Sequence, residues 1–260
     1  MREINAKTII DNIKEMCIEA NLYLTPDMKD AVNKAKDTEK NELGHKIMDQ
    51  LIENLKIADT DQIPICQDTG MAIVFVKLGQ DVHVTGMSLT DAINEGVRRG
   101  YVEGFLRKSV VSDPIIRKNT NDNTPAIIHY DIVDGENIEI TVAPKGFGSE
   151  NMSKMYMLKP ADGIEGIKAS VIDAVSNAGP NACPPFVVGV GIGGNFEKAA
   201  ILAKTALTRD INSHHPDEHI AKLEDELFSE VNALGIGPAG LGGSNTALAI
   251  NIETFATHIA

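Results

Sequence analysis

A chain of 260 residues, 43% hydrophobic and 23% charged, has the composition of a globular protein with room for a substantial core. Its formal net charge of -13, with 4% aromatic residues and no tryptophan, argues against binding nucleic acid or an anionic membrane surface. Any anionic substrate must therefore be drawn in by locally placed arginines, some of which a partner subunit could supply. Residues 4–22 carry Ile9, Ile13, Met16, Cys17 and Ala20 at helical spacing, which places Cys17 on an apolar face as a packing residue. Thr25-Pro26-Asp27 reads as a helix start, and the helical pattern runs to about Ile57 with a break near Asp37-Thr38. The apolar run Met71–Leu78 predicts a buried strand, and Ser88 or Thr90 caps a helix to about Arg99. Gly100–Arg107 and a polar loop rich in Asn, Asp and Pro follow.

Residues 126–133 and 137–142 alternate around Asp134-Gly135, which predicts an antiparallel hairpin. Residues 144–163 read as a long loop, a length that often signals function. Ile164 to Val175 marks a helix ending at Gly179-Pro180; Phe186–Val190 is a short strand; Asn195 caps a helix to about Leu207. A further helix spans 216–233, and a glycine-rich turn at 235–243 precedes a strand over 246–252. The expected fold is α/β: a mixed sheet with an antiparallel hairpin and flanking helices, in one domain over residues 1–260. Three cysteines do not suggest a disulfide framework. With neither a signal-like N-terminus nor an apolar run of about 18 residues, a reducing cytoplasm is the expected location and no membrane span is expected.

The chemistry concentrates in two loops. Ile63-Pro64-Ile65-Cys66-Gln67-Asp68-Thr69-Gly70 carries a thiol beside a carboxamide, a carboxylate and a hydroxyl, immediately before a buried strand. Asn181-Ala182-Cys183-Pro184-Pro185 holds a second thiol, with two prolines fixing the backbone behind it. A lone cysteine is most simply a half-buried free thiol, but two such loops on anchored scaffolds suit metal ligation. Gly189-Val190-Gly191-Ile192-Gly193-Gly194 and Gly235–Gly240 match a dinucleotide fingerprint, which keeps a nicotinamide-dependent oxidoreductase as a weaker alternative. No acidic strand end follows the first at the required spacing, and the second leads into a strand, so tight turns and close packing are the simpler reading. His214-His215-Pro216-Asp217-Glu218-His219 sits at a helix start and is read as surface rather than zinc site. Arg107 could clamp a carboxylate bidentately, and the glycines of Lys145–Asn151 could let backbone amides approach an anion.

Cys66–Gly70, Gly100–Arg107, Lys145–Asn151, Cys183-Pro184-Pro185 with Gly189–Gly194, Gly235–Gly243 and His258-Ile259-Ala260 together resemble the alpha subunit of class I, iron–sulfur-dependent fumarate hydratases. The alpha subunits of tartrate dehydratases share these motifs. The resemblance implies a 4Fe–4S cluster held by three cysteines, with Cys66 and Cys183 as two of its ligands. It further implies that Gln67, Asp68, Arg107, Gly148 (less securely Gly146) and His258 contact substrate, with Asp68 and His258 in catalytic roles. The implied reaction is reversible hydration of fumarate to (S)-malate, with L(+)-tartrate dehydration as the alternative, in an αβ or (αβ)2 assembly whose beta subunit supplies the base. The family's third cysteine follows the His-Ile-Ala segment, so the expectation is that it lies about ten residues past Ala260 in a chain shortened at its C-terminus.

Overall fold

The computed structural model of the chain describes residues 1–259. In chain order the elements are β1 (Arg2–Asn5), α1 (Ala6–Leu22), α2 (Pro26–Thr38), α3 (Glu42–Asp61), β2 (Met71–Gly79), β3 (Val82–Thr85) and α4 (Leu89–Glu103). There follow β4 (Ile127–Val133), β5 (Ile138–Lys145), α5 (Phe147–Glu150), α6 (Gly163–Ala178), β6 (Phe186–Gly193), α7 (Phe196–Ala206), α8 (Glu218–Ala233) and β7 (Ala247–Phe255). Polar residues start the helices by accepting amide protons that have no partner within the helix. Asn5 accepts from the Lys7 amide, Ser88 from Asp91 and Asn195 from Lys198, while Pro26 opens α2. The expected break at Thr38 is present, and the Asn41 side chain restarts the chain as α3 by accepting from the Leu43 and Gly44 amides. Among the described residues no helix is long and apolar enough to cross a membrane.

The contacts divide the chain into two compact units. One comprises Met1–Leu24 and Asn54–Phe147; the other comprises Thr25–Glu53 and the residues from Gly148 onward. In the first, β2 is the central strand of three, parallel to β4 and antiparallel to β5, and β1 pairs in parallel with β3 as a separate ribbon. The α/β class with mixed strand directions therefore holds, but the expected hairpin does not: β4 and β5 are not paired with each other. Ala72, Val74 and Val76 are buried, whereas Ile132 and Val133 are exposed, so the more apolar β2 takes the centre and β4 the edge. The Asp134–Asn137 connection crosses over the end of β2, where the Gly79 amide donates to the Asn137 carbonyl. A Cβ on Gly79 would lie 2.4 Å from the Gly135 oxygen, so only glycine fits beneath that crossing.

Helix α1 packs along α4 through Ile10, Ile13 and Cys17. The helix α4 runs to Glu103, four residues beyond the expected end at Arg99, because Gly96 and Gly100 form a groove for α1 rather than a helix stop. A Cβ on Gly96 would sit 2.7 Å from Ile13 Cβ, and one on Gly100 2.7 Å from Cys17 Cβ. Cys17 is fully buried in this seam, and burial pushes its thiol up to about 12. It is a core residue, as its spacing predicts. In the second unit β6 and β7 pair in parallel, α7 packs on β6 and α8 on β7, around Val171, Val175, Leu223, Leu227, Val231 and Ile252.

Replacing Gly96 by alanine adds helix propensity worth at most about 1 kcal/mol, but overpacks a seam where insertion costs about 1–3 kcal/mol. Gly96→Ala should therefore lower the urea unfolding midpoint at unchanged m-value. A raised midpoint would show that the α1–α4 seam is looser than the geometry states.

Candidate functional site

The antiparallel register of β2 and β5 pairs Met71 with Lys145, so the loop before β2 meets the turn after β5. Gly70 makes that meeting possible. It has φ +71°, and a Cβ there would lie 2.5 Å from the Lys145 carbonyl carbon. Asp68 then joins the two segments: one carboxylate oxygen accepts from the Gly70 amide at 3.0 Å, the other from the Phe147 amide at 2.9 Å. Gly146 lies beneath it, with room for a Cβ only 3.3 Å from the Asp68 carboxylate. On the other flank the Ile65 amide donates to the Asn21 carbonyl, and Asn54 donates to the Ile65 carbonyl. Between these anchors Cys66 and Gln67 are exposed. The Cys66 sulfur accepts from the Asp68 amide at 3.4 Å, and its thiol faces the Gln67 carboxamide oxygen at 3.4 Å.

Arg107 is fixed to the same loop through its backbone. The buried Thr69 hydroxyl accepts from the Arg107 amide at 2.9 Å and donates to the Arg107 carbonyl at 3.2 Å. Leu106 beside it is in the core, while the Arg107 side chain is exposed. Fully buried Asn123 closes the arrangement by accepting from the Ser109 and Val110 amides and donating to the Gly70 carbonyl. Arg98 and Arg99 are paired with Glu95, and Arg209 with Glu224 and Glu253, but Arg107 has no carboxylate partner among the described residues. Cys66, Gln67, Asp68 and Arg107 thus belong to one hydrogen-bonded assembly in the first unit, with Gly146 packed against Asp68.

Gly148, Cys183 and His258 belong to the second unit. Cys183 is exposed and left-handed at φ +57°, with its amide donating to the Pro180 carbonyl. The glycine-rich turn supports it: the Ala239 amide donates to the Pro184 carbonyl, and a Cβ on Gly240 would lie 2.4 Å from Pro180 Cβ. That turn is itself held by buried Glu39, whose carboxylate accepts from the amides of Asn41, Ser244 and Asn245 and from the Asn245 side chain. Burial alone would push the Glu39 carboxyl up, but these donors outweigh it and hold the group at about 2. Gly148 approaches the same cysteine loop, 3.2 Å from the Asn181 oxygen at its Cβ position. His258 is exposed just past β7, where the Gly194 amide donates to the Ala256 carbonyl and Thr257 to the Gly194 carbonyl.

The glycine run takes the simpler of its two readings, and the histidine run needs correction. Gly189 and Gly191 lie inside β6, where a Cβ would be 2.1 Å from the Ala203 oxygen and 2.0 Å from the Ala199 oxygen. They serve close packing of β6 on α7 rather than a phosphate-binding turn. His215 is buried, not on the surface: its Nδ1 accepts from the Asp217 amide and its own amide donates to Glu224. His214 and His219 are exposed as expected. Thr69, Asn123 and Glu39 were not singled out from sequence, although the Asn-rich run before Pro125 was a local signal for a buried loop-organising amide. Among the described residues no three His, Cys, Asp or Glu side chains are grouped to hold a metal ion. Each exposed thiol, taken within its own unit, is a soft donor on a loop fixed by backbone bonds, and Cys66 receives an amide proton.

Fold and site therefore define an α/β protein that presents two thiols from fixed loops, one of them tied to an unpaired arginine. The chain belongs to the fumarate hydratase (Fumerase) family of hydro-lyases, whose model it matches over residues 10–260. It is 46% identical over 258 residues to a Methanocaldococcus jannaschii protein whose name is a provisional L(+)-tartrate dehydratase subunit alpha, covering 97% of this chain and 90% of that protein. It is 32% identical over 265 residues to proteins named L(+)-tartrate dehydratase subunit alpha from Escherichia coli (strain K12) and Shigella sonnei (strain Ss046), covering 99% of this chain and 87% of each.

Because the Glu39 carboxyl is held below its ordinary value of 4.5, its stabilisation is complete above pH about 4.5 and is lost as pH falls toward about 2. Glu39→Gln points an N–H group at backbone donors and should cost about 1–3 kcal/mol at neutral pH, with a shallower loss of stability in acid. Chemical denaturation from pH 7 to 3 checks this, and equal acid slopes for the two proteins would contradict it.

Proposed function

We propose that this chain is the cluster-binding alpha subunit of a two-subunit hydro-lyase that removes or adds water on a four-carbon dicarboxylate. The observation that carries the reading is the exposed Cys66 thiol in the same hydrogen-bonded assembly as the exposed, carboxylate-free Arg107. We put L(+)-tartrate dehydration first, because the relatives at 46% and 32% identity bear that name. Fumarate hydration to (S)-malate is the second reading, favoured by the family's description. The relatives' designation as alpha subunits supports a beta-subunit partner. We assign the whole chain to one functional domain working in a reducing cytoplasm.

Cys66 and Cys183 would supply thiolate ligands to a 4Fe–4S cluster; Cys17, buried with its thiol pushed up to about 12, would not. When bound, the cluster supplies a Lewis-acidic iron that makes a substrate hydroxyl a better leaving group. The chain's own residues then bind and orient. Arg107 holds a substrate carboxylate by paired N–H donors, and the Gly148 amide provides a second contact without a side chain in the way. Gln67 offers a carboxamide to the substrate hydroxyl, and Asp68 lies beside it while its carboxylate ties the loop to Phe147. His258 carries or stabilises a proton near the substrate. The base that takes the proton from the neighbouring carbon comes from the beta subunit.

Anaerobic reconstitution of the αβ pair with iron and sulfide should give about four irons per alpha chain and water-eliminating activity lost in air. Cys66→Ser and Cys183→Ser should each lose iron and activity, while Cys17→Ala keeps both. Assaying L(+)-tartrate and fumarate side by side ranks the two substrates. Failure of the pair to take up iron, both with the 260-residue chain and with a C-terminal extension carrying a cysteine, would end the iron–sulfur reading.

A further inference from the structure

We propose that Thr69 is the positioning residue for Arg107, setting where its guanidinium meets a substrate carboxylate; this rests on the reading of Arg107 as the carboxylate-binding arginine. A single hydroxyl satisfies both backbone groups of Arg107, accepting its N–H at 2.9 Å and donating to its C=O at 3.2 Å. Two bonds to one residue fix its peptide orientation as well as its distance, which one bond would not. The hydroxyl is itself held in place. Thr69 is 3% exposed, its branched side chain has few rotamers, and its carbonyl accepts from the hydroxyl of fully buried Tyr101 at 2.7 Å.

The surrounding chain leaves Arg107 little other support. Phe105, two residues before it, is left-handed at φ +54° and 89% exposed, so the segment leaves α4 through a conformation that side chains disfavour. Leu106 is in the core and its amide donates to the Tyr101 carbonyl, while beyond Arg107 the Lys108 carbonyl accepts from the Asn119 side chain at 2.8 Å and Asn123 fixes Ser109 and Val110. At Arg107 itself the Thr69 hydroxyl is the tie. Thr69 also follows Asp68 directly, so the same hydroxyl links the Cys66–Gly70 loop to the arginine segment and makes the two move together. The two bonds to Arg107 are part-buried rather than fully buried, so water can take the place of the hydroxyl when it is removed. Loss of the hydroxyl should thus cost little stability and much alignment, which separates positioning from a structural role.

The test uses Thr69→Val, which keeps the shape without the hydroxyl, with Thr69→Ser, Arg107→Met and the Thr69→Val/Arg107→Met double variant, all in the cluster-loaded αβ pair. KM and kcat are measured for whichever of L(+)-tartrate and fumarate turns over. Binding of succinate, a dicarboxylate that cannot lose water, is measured by calorimetry independently of turnover. Thr69→Val should raise KM and the succinate Kd about tenfold, with kcat and the unfolding midpoint little changed and iron content unaltered. Thr69→Ser should stay within about threefold of the wild type, and Thr69→Val should add nothing on the Arg107→Met background. Wild-type succinate affinity in Thr69→Val, equal losses on both backgrounds, a Thr69→Ser defect as large as that of Thr69→Val, or loss of iron would each overturn the proposal while leaving the Arg107 reading intact. Unchanged succinate affinity in Arg107→Met would instead remove the Arg107 reading, and this proposal with it.

Discussion

The antiparallel pairing of β2 with β5 is the constraint on which the first thiol loop depends. Register alone brings Met71 opposite Lys145, and everything N-terminal to Met71 is then obliged to meet everything C-terminal to Lys145. Gly70 is the residue that this crowding demands, since a Cβ there would overlap the Lys145 backbone. Once the two segments touch, Asp68 can accept an amide from each side, Gly70 and Phe147, and the loop is closed by its own carboxylate. A one-residue slip in β2 would reverse every side chain of the strand and separate those partners together.

The second unit meets the same need by a comparable device. Around Cys183 the chain is left-handed and proline-bound, and it is propped by a glycine turn that must come within contact of Pro180. The turn could not hold itself, because glycines contribute no side-chain contacts and lose the most entropy on ordering. Glu39 compensates by collecting the amides of Asn41, Ser244 and Asn245 on one buried carboxylate. In both units an acidic side chain organises backbone around a thiol, and in neither does a lysine or arginine neutralise it. Among the described residues of this chain of net charge -13, Arg107 is also without a carboxylate partner.

Much of this was legible in the sequence where the signal is local. The apolar face of α1, the caps at Ser88 and Asn195, the proline start of α2 and the run that becomes β2 all follow from neighbours within a turn or two. Loop composition marked the two exposed cysteines and helical spacing set Cys17 aside, whereas Arg107 was singled out through the family resemblance rather than by any local signal. What escaped was long-range. The alternation at 126–142 correctly marks two strands, but nothing in it says that β2 will insert between them. Gly96 and Gly100 read as helix-weakening until α1 is known to lie against them. Thr69, Asn123 and Glu39 act on partners 38, 53 and 205 residues away, and no periodicity encodes a bond of that kind.

Those three residues share a property that bears on function. Each fixes backbone through its side chain, and each sits behind an exposed segment: Thr69 accepts from and donates to Arg107, Asn123 donates to the Gly70 carbonyl of the Cys66–Gly70 loop, and Glu39 accepts from the turn that props Cys183. A site presented on loops loses precision unless its supports are stiffer than the loops themselves. Here the supports are buried polar groups with their bonds satisfied: among the described residues no buried side-chain nitrogen or oxygen lacks a partner. Disturbing Asn123 or Glu39 leaves buried partners unpaired, whereas the Arg107 groups that Thr69 holds are part-buried and can turn to water. Exposed thiols and an exposed arginine are then held in place by a buried polar interior.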